Sequence, residues 1–223
     1  SQAIRWIAEL IGYPATCGGL LVSGGNMANF VGFLAARRAK APWDIRSEGA
    51  GGGSGKRLFA YVSKETHTWI QKAADLFGLG TESIRWISTG ADCRIDTKEL
   101  RARIEADRAD GGHPFLIVGS AGTVSTGAVD PMPELAAVAR EYGVWFHVDG
   151  AYGAPAAALP DASDDLKGLV EADSIALDPH KWLYTPLEAG CTLVRDPRHL
   201  LDAFDYSPVY YRFAADAEEK PVN

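Results

Sequence analysis

Short apolar runs alternate with segments of helical periodicity along most of the chain, and this alternation restricts the possible folds more than any other feature. Several runs are apolar at every position, as in parallel strands that are buried on both faces. Strands that alternate with helices form an open sheet with right-handed crossovers. We therefore predict an α/β fold, a mostly parallel sheet flanked by helices. The predicted strands are 58–62, 83–87, 115–118, 144–148, 174–177 and 192–194, and the predicted helices are 26–38, 67–76, 97–109, 132–142 and 199–204.

The first residues predict an amphipathic helix, with Ile4, Ile7 and Ile11 on one face. We expect a further segment before it, because the chain starts inside this helix or at its beginning. Residues 10–36 contain no charged side chain, but Pro14, six glycines and two asparagines interrupt them. We therefore predict a strand or loop that leads into a buried helix, and no membrane span. No basic region precedes an apolar run, so we predict no signal peptide.

Composition argues against several classes of partner. The chain has 22 Lys and Arg against 29 Asp and Glu, a net charge of −7, which makes it a poor nucleic-acid binder. Its three cysteines, Cys17, Cys93 and Cys191, are odd in number and far apart. This pattern predicts neither a disulfide framework nor a metal site, and it is typical of a reducing, cytoplasmic compartment.

Asp149 follows the apolar run 144–148 and so ends a buried strand. A carboxylate in apolar surroundings is costly unless it meets a cation. Ligands of open α/β sheets bind at the carboxyl ends of strands. The small residues Gly150 and Ala151 follow and leave room for a flat group close to the backbone. A helix N-cap or a metal ligand is the alternative interpretation of Asp149.

A second polar motif, Asp178-Pro179-His180-Lys181-Trp182, follows the strand 174–177. We expect Lys181 to be partly desolvated in this turn, which lowers the pKa of a lysine and makes it a nucleophile. A lone lysine is more often a surface residue, but Lys181 follows Asp149 by 32 residues at a second strand end. This pair suits pyridoxal phosphate (PLP), because the carboxylate keeps the pyridine nitrogen protonated and the lysine binds the aldehyde carbon as an imine.

Together, the motifs at 149–152 and 178–182 resemble those of the group II PLP-dependent amino-acid decarboxylases, which include the aromatic-L-amino-acid decarboxylases. The resemblance extends from the end of the first helix, at residue 12, to Tyr210. It implies the aspartate aminotransferase-like fold, fold type I, with residues 1–223 as a partial PLP-binding large domain. Family members are longer and add an N-terminal segment and a C-terminal small domain.

The resemblance also implies how the phosphate and the ring are held. Gly24, Gly25 and Asn26 match the family's phosphate loop, which enters a helix whose backbone N–H groups and positive end face an anion. We expect Asn26 to cap this helix as well. His67 matches the histidine that stacks on the pyridine ring, on the face opposite Ala151.

Further contacts follow from the same resemblance. Thr123, in the segment 120–127, is expected to hydrogen-bond near the ring 3′ oxygen or Asp149. Ser174 and His180 match positions near the phosphate and the imine. Tyr210, 29 residues after Lys181, matches the tyrosine of a mobile loop that excludes water and supplies a proton.

The implied activity is PLP-dependent decarboxylation of an L-amino acid to the amine and CO₂, with Lys181, His67, Tyr210 and Asp149 as catalytic residues. Aromatic amino acids are the expected substrates, ahead of glutamate and histidine. One alternative is an aldehyde synthase, which oxidises the carbanion with O₂ and typically has Phe in place of the loop tyrosine or a changed ring-stacking histidine. Another is a non-catalytic fragment of the same scaffold. We expect a homodimer, because one chain leaves the substrate pocket incomplete.

Overall fold

The strands lie in a single sheet in the computed structural model, which describes residues 1–52 and 55–206. The strands are β1 (Gly18–Val22), β2 (Leu58–Ser63), β3 (Ile84–Ile87), β4 (His113–Ser120), β5 (Trp145–Asp149), β6 (Ser174–Leu177) and β7 (Gly190–Val194). Their order across the sheet is β1-β7-β6-β5-β4-β2-β3. The pairs from β6 to β3 are parallel, whereas β7 runs antiparallel to both β1 and β6. The predicted mostly parallel sheet is confirmed.

Helices connect the strands and cover both faces of the sheet. Those in the described residues are α1 (Gln2–Leu10), α2 (Gly25–Lys40), α3 (Ile45–Glu48), α4 (Trp69–Leu76), α5 (Thr97–Ala109), α6 (Met132–Tyr142), α7 (Asp164–Lys167), α8 (Pro179–Trp182) and α9 (Arg198–Phe204). Short 3₁₀ turns lie at Thr81–Ser83, Ala154–Ala158 and Gly168–Glu171. No helix of the described residues is long and apolar enough to cross a bilayer.

Capping residues set the ends of the two helices whose limits the sequence predicted in full. At the start of α5, the Asp96 carboxylate accepts hydrogen bonds from the N–H groups of Lys98 and Glu99. Gly143 ends α6 with a φ of 65°, in the left-handed region that glycine adopts without strain. These local signals are readable in the sequence, which is why the predicted limits 97–109 and 132–142 are confirmed.

Strand β1 lies at the edge of the sheet, in the stretch for which the sequence predicted a strand or a loop. Its glycines give little of the apolar pattern by which strands are recognised. A Cβ atom at Gly19 would lie 2.6 Å from the backbone oxygen of Thr192, so close pairing with β7 requires glycine there.

The core lies in two layers, one on each face of the sheet. Ile104, Leu135 and Phe146 belong to the cluster on one face, and Phe33 and Trp69 belong to the cluster on the other. Strands β2, β4, β5 and β6 are buried along most or all of their length, as their uniformly apolar sequences predict. Burial on both faces leaves the strand ends as the places where polar side chains can meet a ligand.

Candidate active site

A cavity of about 220 Å³ opens at the carboxyl ends of β4 and β5. Its walls come from the start of α2, the turn between β2 and α4, the segments after β4 and β5, and α8. Most of the predicted site residues line it, namely Gly25, Asn26, His67, Thr123, Asp149, Ala151 and Lys181. Residues from five separate segments of the sequence therefore meet in one place.

Asp149 is a buried acid at the wall of this cavity, with 9% of its surface exposed. Its Oδ2 accepts a hydrogen bond of 2.7 Å from the indole Nε1 of Trp69, and its Oδ1 accepts one of 3.2 Å from the N–H of Ala151. Burial raises the pKa of Asp149, and hydrogen bonds from Ala151, Asn29 and Trp69 act in the opposite direction. These donors stabilise a negative charge that burial alone would remove.

Lys181 lies in the short helix α8, and 39% of its side chain is exposed. Its Nζ lies 2.9 Å from Oδ2 of Asp178, a residue that is only 2% exposed. The other carboxylate oxygen of Asp178, Oδ1, is buried and has no hydrogen-bond partner among the described residues. The ion pair therefore holds the ammonium group of Lys181 at the cavity wall.

The loop before α2 leads into the start of a helix, where backbone N–H groups can face an anion. Gly24 precedes the helix with a φ of 84°, which favours glycine, and α2 begins at Gly25. A Cβ atom at Gly25 would lie 2.5 Å from Oδ2 of Asp178, so the loop approaches the strand end only because residue 25 has no side chain. The expectation that Asn26 caps the helix is wrong: the helix starts one residue earlier, and no side chain caps it.

His67 is exposed in the turn between β2 and α4. The sequence predicted that the helix starts at residue 67, but α4 begins two residues later, at Trp69. Its Nδ1 accepts a hydrogen bond of 3.2 Å from the N–H of Trp69, so the proton of a neutral ring lies on Nε2. His67 and Ala151 line the same cavity. This placement is compatible with a flat ring bound between them.

Thr123 lies 6% exposed in the segment that follows β4. Its Oγ1 forms a hydrogen bond of 2.7 Å with the Oγ1 of Thr126, and its backbone N–H donates to the carbonyl of Ala128. Val124, the next residue, also lines the cavity and is 78% exposed at its rim. Thr123 is therefore held by its own loop at the cavity wall.

The structure does not bring every predicted residue to the cavity. Ser174 lies at the beginning of β6, fully buried, and its hydroxyl is engaged by Trp145 and His147. His180 is not among the residues that line the cavity. Its Nδ1 accepts a hydrogen bond of 3.0 Å from the N–H of Ala189, and its Nε2 lies 3.8 Å from Oδ2 of the lining residue Asp178. Gly24 is not among the lining residues either, although its neighbour Gly25 is. Tyr210 is outside the described residues.

Three residues of the site were not assigned a role from the sequence. Trp69 and Asn29 lie within helices, where an indole or an amide usually packs or faces solvent, so only the folded arrangement shows that they reach Asp149. Asp178 had a readable signal, since it ends a buried strand just as Asp149 does. In the described residues, no group of three or more His, Cys, Asp or Glu side chains is placed to hold a metal ion.

Comparison with known proteins identifies one family along the whole chain. Residues 1–223 match the family described as the pyridoxal-dependent decarboxylase conserved domain. The chain is 37% identical to an aromatic-L-amino-acid decarboxylase of Bacillus atrophaeus, over 99% of this chain and 44% of that protein. It is 31% identical to a phenylacetaldehyde synthase of a Rosa hybrid cultivar, over 98% of this chain and 43% of the relative.

A solved structure of Oryza sativa TDC with PLP and tryptamine matches with a TM-score of 0.84 and 33% identity, over 97% of this chain and 46% of that one. The chain thus spans less than half the length of the relatives it matches. The shared architecture confirms fold type I, and the match over residues 1–223 shows that the chain belongs to the pyridoxal-dependent decarboxylase family.

Proposed function

We propose that residues 1–223 are the PLP-binding large domain of a decarboxylase that acts on aromatic L-amino acids. The observation that carries this proposal is the meeting of Lys181, Asp149 and the Gly25–Asn26 loop around one cavity. An amine, a buried carboxylate and an anion site are the three groups that the aldehyde, the ring nitrogen and the phosphate of PLP require.

The residues present fit this cofactor. Asp149 is buried, yet in the described part of the chain no cationic side chain forms an ion pair with it. A buried carboxylate of this kind is stabilised by a cation, and a protonated pyridine nitrogen is one. No side chain caps the start of α2, so the first backbone N–H groups of the helix are available to a phosphate.

When bound, PLP supplies an electron-accepting ring that takes up the electron pair left by the departing carboxylate. Asp149 would hold the proton on the ring nitrogen, and the amine of Lys181 would hold the aldehyde carbon. For this, Lys181 would have to leave its ion pair with Asp178 and be deprotonated. His67 would cover one ring face and Ala151 the other, and Tyr210 would supply a proton at the substrate Cα.

The names of the relatives support aromatic substrates, because they include aromatic-L-amino-acid and tryptophan decarboxylases. The phenylacetaldehyde synthases among the relatives make an aldehyde synthase the second candidate. We favour decarboxylation, since this chain has Tyr210 and His67 where such synthases typically have a changed residue.

The proposal includes a homodimer in the cytoplasm. Tyr152, Trp182, Tyr184 and Leu187 are large apolar residues, 41–92% exposed, beside or near the cavity. A second copy of the chain would cover such a surface and complete the pocket. Cysteines without disulfides, at positions 17, 93 and 191, support a reducing compartment. Sedimentation of the active protein as a monomer would contradict the dimer.

The experiment is a screen of CO₂ release and amine formation across the amino acids, with PLP added. We expect release from Trp, Tyr or Phe and equal amounts of amine and CO₂. Lys181→Ala should abolish both products, whereas Lys72→Ala, at an exposed position of α4, should leave them unchanged. Aldehyde and hydrogen peroxide in place of amine would select the synthase, and no release from any amino acid would contradict both activities.

A further inference from the structure

A buried chain of hydrogen bonds links the middle of the sheet to the cavity wall. Trp145 Nε1 lies 2.8 Å from Ser174 Oγ, which lies 2.7 Å from His147 Nδ1. His147 Nε2 lies 2.8 Å from Oδ1 of Asn29, a residue that lines the cavity. Each of these four residues is at most 2% exposed, so water does not compete for their polar groups.

The chemistry of the two end groups fixes the direction of every bond. An indole N–H can only donate, and the Oδ1 of Asn29 can only accept, so His147 Nε2 must bear a proton. Burial lowers the pKa of His147 to about 3, so the ring is neutral and its Nδ1 is an acceptor. The hydroxyl of Ser174 therefore accepts from Trp145 and donates to His147.

The Asn29 amide is held in one orientation by a donor on one side and an acceptor on the other. With Oδ1 bound to His147, the NH₂ group donates to the carbonyl oxygen of Gly25, 2.9 Å away. A rotated amide would place its oxygen against that carbonyl and its NH₂ group against the N–H of His147. Both contacts are unfavourable, so one orientation is retained.

The orientation matters because Asn29 acts on Asp149. Asn29 and Asp149 line the same cavity, and the Asn29 side chain is among the groups that lower the pKa of Asp149. The indole of Trp69, which donates a hydrogen bond to Asp149, meets the ring of His147 edge-on with centroids 5.7 Å apart. His147 thus contacts both Asn29 and Trp69, the two side chains that favour the charged form of Asp149.

The packing leaves no freedom around this histidine. A Cβ atom at Gly32 of α2 would lie 2.5 Å from Cε1 of His147 and 3.2 Å from Oγ of Ser174. Helix α2 can therefore lie directly against the two side chains only because residue 32 is a glycine. Asn29 lies on the same helix, and the loop before α2 leads into it. The contact of α2 with His147 and Ser174 therefore also positions that loop.

We propose that Trp145, Ser174 and His147 are positioning residues that hold the Asn29 amide with its NH₂ group toward Asp149, so that Asp149 binds the ring nitrogen of the cofactor as a carboxylate. This inference rests on the proposed function. In this proposal, Ser174 acts on the cofactor site indirectly, by orienting the Asn29 amide through His147. The family resemblance implied instead that Ser174 lies near the cofactor itself.

The test compares PLP with its analogue in which the ring nitrogen is replaced by carbon. The analogue keeps the aldehyde and the phosphate but offers Asp149 no proton to hold. In Ser174→Ala and His147→Phe, we expect the dissociation constant of PLP to rise at least about tenfold and that of the analogue to change less than about threefold. Tyr61→Phe is the matched control, because it removes a buried hydrogen bond from the same sheet, to Asp107, and should affect neither ligand.

Equal weakening of both ligands would show a merely structural role and overturn the inference while leaving the proposed function intact. Unchanged PLP binding in both variants would overturn it too. An unmodified protein that binds neither compound would overturn the proposed function and this inference together. Ser174→Ala removes a single oxygen atom, so it keeps the test decisive if His147→Phe fails to fold.

Discussion

The indole Nε1 of Trp69 donates a hydrogen bond of 2.7 Å to Oδ2 of Asp149, although 80 residues of sequence separate them. The bond joins the first residue of α4 to the last residue of β5, and both residues are buried. It therefore places a neutral donor, with no charge of its own, beside the carboxylate proposed to hold the ring nitrogen. Trp69 also packs in the core, so one side chain serves the fold and the site.

Trp69→Phe should weaken PLP binding about tenfold, because a hydrogen bond to a charged group contributes about 1.5–3 kcal/mol. The Phe ring keeps most of the packing and removes only the donor. Equilibrium titration followed by cofactor absorbance measures the change. Trp86→Phe, on β3 and away from the cavity, is the control and should bind PLP normally. Normal binding by Trp69→Phe as well would contradict the role given to this bond.

Lys181→Met should lower the free energy of unfolding of the cofactor-free protein by about 1–3 kcal/mol, because it leaves the buried Asp178 carboxylate without its cation. We expect less than for a fully buried pair, since the side chain of Lys181 is 39% exposed and His180 Nε2 lies 3.8 Å from the same carboxylate. The double variant Lys181→Met/Asp178→Asn should recover most of the loss. Denaturant unfolding of the unmodified protein, of Lys181→Met, of Asp178→Asn and of the double variant gives the coupling energy, and strictly additive losses would show that the pair contributes nothing.

Gly25→Ala should weaken the binding of PLP more than that of pyridoxal, which lacks the phosphate. The added Cβ atom would lie 2.5 Å from Oδ2 of Asp178, so the loop must shift away from the anion site. Gly51→Ala is the control, because a Cβ atom there meets no atom within 4 Å. An equal loss for both ligands would place the phosphate somewhere other than the start of α2.

The stability of the protein should depend on pH through His147. Burial lowers the pKa of His147 to about 3, from 6.5, so below pH 6.5 the unfolded chain takes up a proton that the folded protein does not. The neutral His147 of the folded protein therefore contributes to the free energy of unfolding. This contribution is fully present above pH 6.5 and is lost as the pH falls, by up to about 1.4 kcal/mol per pH unit.

Comparison with His147→Gln isolates this contribution from that of Asp149, whose raised pKa acts in the opposite direction above pH 3.8. Between pH 7 and pH 4.5, the unmodified protein should lose about 2–3 kcal/mol more free energy of unfolding than the variant. Parallel pH profiles for the two proteins would mean that His147 is charged in the folded state.

Tyr210→Phe should cut the rate of amine formation at least about a hundredfold, as expected for the loss of a general acid. The carbanion then lives longer and O₂ can compete, so aldehyde, ammonia and hydrogen peroxide should increase. Tyr211→Phe is the matched control, since the two tyrosines are adjacent. If Tyr210→Phe forms amine at the unmodified rate, His67 becomes the leading proton donor.

The sequence predicts the parts of this molecule that depend on local signals. The strand ends at Asp149 and Asp178 follow from apolar runs, and the limits of α5 follow from the N-cap Asp96. Roles that depend on contacts between distant segments are not predictable in this way. The hydroxyl of Ser174 is buried in the core, where it is hydrogen-bonded to Trp145 and His147. No sequence motif predicts these two hydrogen bonds.

The loop before α2 also shows how far sequence-based prediction reaches. Its glycines predict an anion site, but the start of the helix depends on backbone angles, so the expected cap at Asn26 is absent and α2 begins at Gly25. Asn26 nevertheless lines the cavity, and so does Asp178, whose ion pair with Lys181 only the folded chain reveals.

Borohydride reduction of the PLP-loaded protein, followed by digestion and mass spectrometry, locates the pyridoxyl group and so tests the cofactor site directly. We expect a single modified peptide, with the label on Lys181, and no label in Lys181→Ala. A label on another lysine, such as Lys56 or Lys64, with Lys181 unmodified, would contradict the assignment of this cavity as the cofactor site.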